Sequence, residues 1–162
     1  MIIAVLADTH IPTRAKELPK RLVERLEQVD LILHAGDFVH KQVYEMLAGT
    51  KKIEAVAGNM DEDALKIKLP SKKIIQIEGV RIGLVHGCDI PWDLVHRVPA
   101  NFTKEKLDCI VYGHTHIPRN EKIGDRLYFN PGSPTDMIFS TTSTFGILEI
   151  NGTDIKSEIV KI

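Results

Sequence analysis

Short apolar runs rich in β-branched residues punctuate this chain, and in its first part amphipathic stretches separate them, an alternation that few architectures satisfy. "IIAVLA", "LILHAG" and "KIEAVAG" read as buried strands, because they are apolar on both faces and too short for core helices. Between them, "ELPKRLVERLEQV" places Leu18, Leu22, Leu26 and Val29 at spacings of four, four and three, which predicts a helix, and "HKQVYEMLAG" predicts a second. A polar helical turn is expected around Asp61 to Lys66. "KKIIQIEGVRIGLVHG" reads as a hairpin split at Glu78-Gly79. Residues Pro91 to Lys106 read as short helices broken at Pro99. "LDCIVYG" is a strand, "IPRNEKIGDRLYFN" a hairpin turning at Gly124-Asp125, and "TFGILEI" with "IKSEIVKI" a last hairpin about "NGTD". Alternation first and strands later predict an α/β layered fold with a mixed sheet, in one domain over residues 1–162.

Composition narrows the function. Net charge is −1 and the Lys and Arg residues are scattered, so neither a nucleic-acid polymer nor an anionic membrane is an expected partner. Two cysteines, Cys88 and Cys109, make no disulfide framework and fit a reducing compartment. "MIIAVLA" is too short for a membrane span or a signal segment, so the expected location is cytoplasmic.

The strand ends carry the chemistry. "VLA" leads to Asp8 and His10, "LILHAG" to Asp37, "AVAG" to Asn59, "IGLV" to His86, and "IVYG" to His114 and His116. Ligands of open α/β sheets sit outside the carboxyl ends of strands, so these seven residues could converge. "GHTH" reads as a strand end at which Gly113 lets the backbone turn and two histidines two apart project to the same side. Three oxygen donors and four nitrogen donors, with no thiolate, suit Mn²⁺, Fe, Co²⁺, Ni²⁺ or Zn²⁺ in a catalytic site. Seven donors are too many for one ion and fit two, if one carboxylate bridges.

In order and spacing, Asp8-x-His10, Gly36-Asp37, Gly58-Asn59, His86 and Gly113-His114-x-His116 resemble the motifs of the calcineurin-like metallophosphoesterase superfamily. "GNMD" at residues 58–61, the small size and "NPGS" at 130–133 are most similar to its YfcE-type phosphodiesterase branch. The resemblance covers essentially the whole chain. It implies a four-layer α-β-β-α sandwich of two mixed sheets flanked by helices. It also implies that Asp8, His10, Asp37 and His116 hold one metal and that Asp37 bridges to a second held by Asn59, His86 and His114. Asp37, Asn59 and His114 would carry the catalytic role as well. Two divalent ions, Mn²⁺ first, with Ni, Fe, Co or Zn as alternatives, would sit roughly 3.5–4 Å apart and yield a bridging hydroxide for in-line attack on a small phosphodiester.

The chain departs from the broader pattern twice. Where many of these phosphatases carry a histidine that protonates the leaving group, this chain has Met60, which has no proton to give. Where they carry an acid three residues after the Gly-Asp aspartate, it has His40. The YfcE-type branch commonly lacks the first histidine too. Esters with poor leaving groups are therefore expected to be poor substrates.

Other residues have plainer readings. His34, inside an apolar run, reads as a hydrogen-bonded core or supporting histidine; His40 and His96 read as surface residues on helices. Asp61 orients a site group or caps the helix beginning "DEDALK". Residues 130–133 line the site with backbone amides or form a strand-ending turn. Cys109 reads as core, Cys88 and Asp89 as rim, and Trp92 as a packing or subunit contact rather than a stacking surface. Three function classes follow: a phosphodiesterase; a phosphomonoesterase or protein phosphatase on the same scaffold; and a non-catalytic interaction module like the retromer subunit of this fold. Self-association into a homo-oligomer is compatible with all three.

Overall fold

The computed structural model describes residues 1–87 and 98–162. In chain order the elements are β1 (Ile2–Leu6), α1 (Lys20–Leu26), β2 (Leu31–His34), α2 (Lys41–Thr50), β3 (Ile53–Ala55), α3 (Asp63–Lys68), β4 (Lys72–Ile77) and β5 (Val80–Val85). A 3₁₀ turn (Val98–Phe102) follows, then β6 (Cys109–Val111), β7 (Arg119–Ile123), β8 (Arg126–Asn130), β9 (Thr144–Asn151) and β10 (Asp154–Lys161).

The strands form two five-stranded sheets, ordered β10-β9-β1-β2-β3 and β4-β5-β6-β8-β7. Both are mixed. In the first, β1, β2 and β3 run parallel and β9 and β10 antiparallel to their neighbours. In the second, β5, β6 and β8 run parallel while β4 and β7 are antiparallel edges. Each sheet thus sends several carboxyl ends to one edge, where a site can assemble.

Alternation along the strands explains the layering. Ile3, Val5 and Leu33 face the seam between the sheets and meet Ile82, Leu84, Val111 and Phe129. Ala4, Leu6 and Ile32 face the other way, onto Leu22, Leu47 and Leu65 of the three helices. Each such aliphatic or aromatic side chain contributes about 1.5–3 kcal/mol by leaving water. On the outer face of the second sheet, Ile110, Tyr112 and Tyr128 are covered by Val98, Phe102 and Leu107. Among the described residues, that fourth layer is therefore the 3₁₀ turn and its flanks rather than an α-helix.

Two local expectations need correction. The α1 helix is shorter than its apolar periodicity: Leu18 and Val29 are buried on its face but lie outside Lys20–Leu26. Pro19 sits at its N-cap, where a missing N–H costs nothing, and so sets the start. Among the described residues Pro99 interrupts no helix but lies within the Val98–Phe102 turn, near whose start its fixed φ is tolerated. The readings of Cys88, Asp89, Trp92, His96 and the helices before residue 98 lie outside the described residues. No helix among the described residues is long and apolar enough to cross a membrane.

Candidate metal centre

All seven donors expected from the strand ends converge at one edge of the seam. Asp8, His10, Asp37 and Asn59 come from loops after β1, β2 and β3; His86, His114 and His116 come from loops after β5 and β6. The backbone reaches this geometry by an unusual route. Asp8, His10, Asp37, His114 and His116 all have positive φ, at 54°, 42°, 60°, 71° and 59°. Non-glycine residues visit that region at a cost of order 1–3 kcal/mol each, and mostly where surrounding structure imposes it.

Here the imposition is visible. Asp8 N–H donates to Gly36 O at 3.0 Å, and His10 N–H to Asp37 O at 3.0 Å, so the β1 and β2 loops zip together beyond the sheet. Glycine is required where these loops touch. A Cβ on Gly36 would lie 2.7 Å from Gly58 N, and one on Gly58 2.1 Å from Asp37 Oδ1. The expectation that "GHTH" presents both rings together from a strand end is corrected. β6 ends at Val111, and the two histidines turn in left-handed backbone into different halves of the cluster.

One half gathers Asp8, His10 and His116, and the other Asp8, Asp37 and His86, each set with ligand atoms within 4.8 Å of one another. His10 Nε2 and His116 Nε2 face each other at 3.2 Å, and Asp8 Oδ1 lies 3.9 and 3.6 Å from them. Asp37 Oδ2 lies 3.5 Å from His10 Nε2 and 3.3 Å from His86 Nε2, between the halves. Asn59 Oδ1 approaches both His86 Nε2 and His114 Nδ1 at 3.0 Å.

The donors also carry the electrostatics of a cation site. Asp8 is wholly buried, and its Oδ1 has no hydrogen-bond partner. Burial lifts its carboxyl to about 6, against the pull of His86 and His116. Burial lowers His10 to about 4, so its ring is neutral. His86 experiences the same burial, but the hydrogen bond to Asp37 and the charges of Asp8 and Asp37 outweigh it and lift the ring to about 9. A proton on His86 thus partly offsets two carboxylates that an ion would satisfy better. An orphaned buried oxygen among converging ring nitrogens fits divalent cations.

Supporting contacts fix the ring faces. His86 Nδ1 donates to Ala35 O at 2.7 Å, which turns Nε2 inward. His116 Nδ1 meets the carboxylate of the fully buried Asp136, which turns its Nε2 inward as well. Asp61 is not the cap of α3, whose N-cap is Glu62. It accepts N–H groups from Asp37 (3.2 Å), Val39 (2.9 Å) and Gly58 (2.7 Å), clasping two loops. His34 is buried, stacked on Phe38, and hydrogen-bonded through Nδ1 to Gly36 N–H at 3.2 Å, as expected of a supporting histidine. His40 is exposed, 3.6 Å from Glu62 Oε2, and Cys109 is core.

The 130–133 stretch works from behind the cluster rather than lining it with amides. Asn130 Nδ2 donates to Gly113 O at 3.1 Å, and Ser133 Oγ to Asp8 O at 2.7 Å. Asp136 escapes a reading of the sequence. Its one local signal is Ser133 three residues earlier, whose Oγ accepts the Asp136 N–H at 3.0 Å. A cleft of about 460 Å³ opens over the cluster, walled by His10, Thr13, Arg14, Asp37, Asn59, Met60, His114, Thr115, His116 and Phe139.

The comparisons agree with this geometry. The sequence model of the calcineurin-like phosphoesterase superfamily domain matches residues 1–153, and the chain belongs to that superfamily. It is 35% identical to a "probable metallophosphoesterase" of Methanothermobacter thermautotrophicus, over 99% of this chain and 92% of that one. Wild-type Vps29 of Entamoeba histolytica, solved with Zn²⁺, superposes with a TM-score of 0.78 at 26% identity, over 99% of both chains. An archaeal phosphodiesterase shares the fold, with a TM-score of 0.72 at 23% identity over 99% of this chain and all of the other. The chain is thus a metallophosphoesterase-family protein with candidate metal ligands in place.

Proposed function

We propose that this chain is a single-domain, dinuclear metal-dependent phosphodiesterase of small substrates, acting in the cytoplasm. The observation that carries the reading is the unpartnered Asp8 Oδ1 amid inward-turned ring nitrogens, with Asp37 Oδ2 between the two halves. Asp8, His10, Asp37 and His116 would hold one ion, and Asp37, Asn59, His86 and His114 the other. Bound there, two divalent ions, Mn²⁺ first, supply Lewis acidity toward phosphate oxygens and acidify water for in-line attack on phosphorus.

The chain's own residues do the rest. Asp136 and Ala35 O hold the His116 and His86 rings so that their Nε2 atoms face inward. Asp61 holds the Asp37 and Asn59 loops at fixed spacing. Met60 is 54% exposed at the cleft and cannot protonate a leaving group. Neither His34 nor His40 lines the cleft, so the described histidines there are all candidate ligands.

The test is hydrolysis of bis-aryl against mono-aryl phosphates, with metal content measured and Mn²⁺ added or withheld. Metal-dependent turnover of the diester is expected, depending steeply on leaving-group pKa. Met60→His should flatten that dependence, since a positioned general acid contributes about 10²–10⁴-fold. Parallel slopes in the two proteins would place the proton donor elsewhere. A second reading, a non-catalytic interaction module, is favoured by the likeness to a vacuolar sorting protein. Because such a protein was also solved with zinc, metal binding alone does not separate the readings. A fully metal-loaded chain that hydrolyses no phosphate ester would sink the enzyme reading.

A further inference from the structure

Beyond the candidate ligands, the cleft is walled by Thr13, Arg14, Met60, Thr115 and Phe139, and Arg14 is the single fixed cation among these described residues. Its position is set by the chain around a candidate ligand: Arg14 N–H donates to His10 O at 2.8 Å. Its guanidinium carbon lies 5.3 Å from the centroid of the Phe139 ring. That ring meets His116 edge to face, with centroids 5.5 Å apart and planes at 87°. The segment bearing Phe139 is anchored in turn, because Asp136 Oδ1 accepts the Ile138 N–H at 2.7 Å while Asp136 Oδ2 supports His116.

Phe139 is 62% exposed, in a run with the similarly exposed Met137 and Ile138, so its ring face is open at the cleft. Its face carries the Arg14 guanidinium. A guanidinium resting on an aromatic face keeps its charge near the protein; the nearby Asp136 carboxylate feels that charge but makes no close ion pair with it. Its edge N–H groups stay free for a planar pair of oxygens, and phosphate presents such a pair. A cation paired with Asp or Glu would offer far less. Among the described residues, no carboxylate pairs with Arg14 within 4 Å, and its charge reaches Asp136 only at longer range, where it helps hold that carboxyl below the usual range.

We propose that Arg14, carried on Phe139, binds phosphoryl oxygens of the substrate in this cleft, alongside the metal donors. The inference rests on the phosphoesterase reading of the same site. The oxygens have two sources: the scissile phosphate itself, or a further phosphate on the same molecule.

The experiment compares wild type, Arg14→Gln and Arg14→Lys on bis(nitrophenyl) phosphate and on a nitrophenyl nucleotide diester bearing a further terminal phosphate. It reads KM, kcat, metal content, and the dissociation constant of inorganic phosphate for the metal-loaded proteins. Arg14→Gln should raise KM and the phosphate dissociation constant about tenfold, the scale of a lost hydrogen bond to a charged group, with metal content unchanged. Arg14→Lys should recover part of the loss. Phe139→Leu should raise KM by roughly two- to threefold by removing the ring under the guanidinium. A KM rise on both substrates assigns Arg14 to the scissile phosphate, and a rise on the nucleotide alone assigns it to the further one. KM values and phosphate binding within about twofold of wild type overturn the proposal, as does metal loss in Arg14→Gln. If the wild type turns over neither ester, the phosphoesterase reading fails, and the phosphate dissociation constants still decide the role of Arg14.

Discussion

The loops after β1, β2 and β6 and the hairpin between β7 and β8 both turn through left-handed backbone, but they fill it differently. In the hairpin the residue with positive φ is Gly124, at 59°, with nothing within 4 Å of where a Cβ would lie. At the cluster, the same region of φ is occupied by three histidines and two aspartates. A turn needs only the bend, so glycine supplies it at least cost. The cluster needs the bend and a donor atom at the same position. The backbone cost is therefore accepted, and the hydrogen bonds zipping Asp8 to Gly36 and His10 to Asp37 hold it.

The largest test removes a donor. Asp37→Ala should abolish turnover and strip most bound metal, while circular dichroism shows an intact fold; turnover near wild type would remove Asp37 from the bridging position. His114→Ala and His116→Ala should each leave a partly occupied site, because the two rings lie in different halves. Two ions per chain and full rate in both variants would make "GHTH" a plain turn, like the hairpin.

Next in size is the pH dependence of metal affinity. To ligate, His86, lifted to about 9, must lose its proton, and below about 6 so must Asp8. Affinity for Mn²⁺ should therefore fall as pH drops below 9, by roughly tenfold per unit for one displaced proton, and more steeply below 6. Titration calorimetry at several pH values checks this, and a flat profile would exclude both groups as ligands. Asp136→Asn keeps the shape but loses the carboxylate behind His116. It should weaken metal binding by about 10–100-fold without altering the far-UV spectrum.

The smallest effects probe the contrast itself. Gly124→Ala should destabilise the protein by about 1 kcal/mol, as positive φ is imposed on a side chain. His114→Gly relieves that strain, so the metal-free variant should melt no lower than wild type although its metal site is damaged. If both substitutions lower the melting temperature of the metal-free protein equally, backbone strain is not what separates the two regions.

Much of this was legible in the sequence, and the limits have physical causes. The strands could be read because runs such as "LILHAG" are buried on both faces, and the donors because each follows a run directly. Asp136 could not. It follows no apolar run, and its role exists only because the β8–β9 connection folds back under His116. Asp61 was ambiguous for a related reason: an acid before a helix looks like a cap, and only tertiary structure brings Gly58, Val39 and Asp37 N–H groups to it. The strand reading of "GHTH" failed because alternation says nothing about φ beyond the last ladder bond. Leu18 and Val29 show that apolar spacing records which residues face the core, not where helical hydrogen bonding stops.

The donors are split across the seam, with Asp8, His10, Asp37 and Asn59 from one sheet and His86, His114 and His116 from the other. For a polymer, a cation held by both sets would be a rivet closing a long loop across the seam. If the site holds a metal, its binding would favour the docked arrangement of the two sheets over any in which they are apart, because only the docked chain presents both sets of donors.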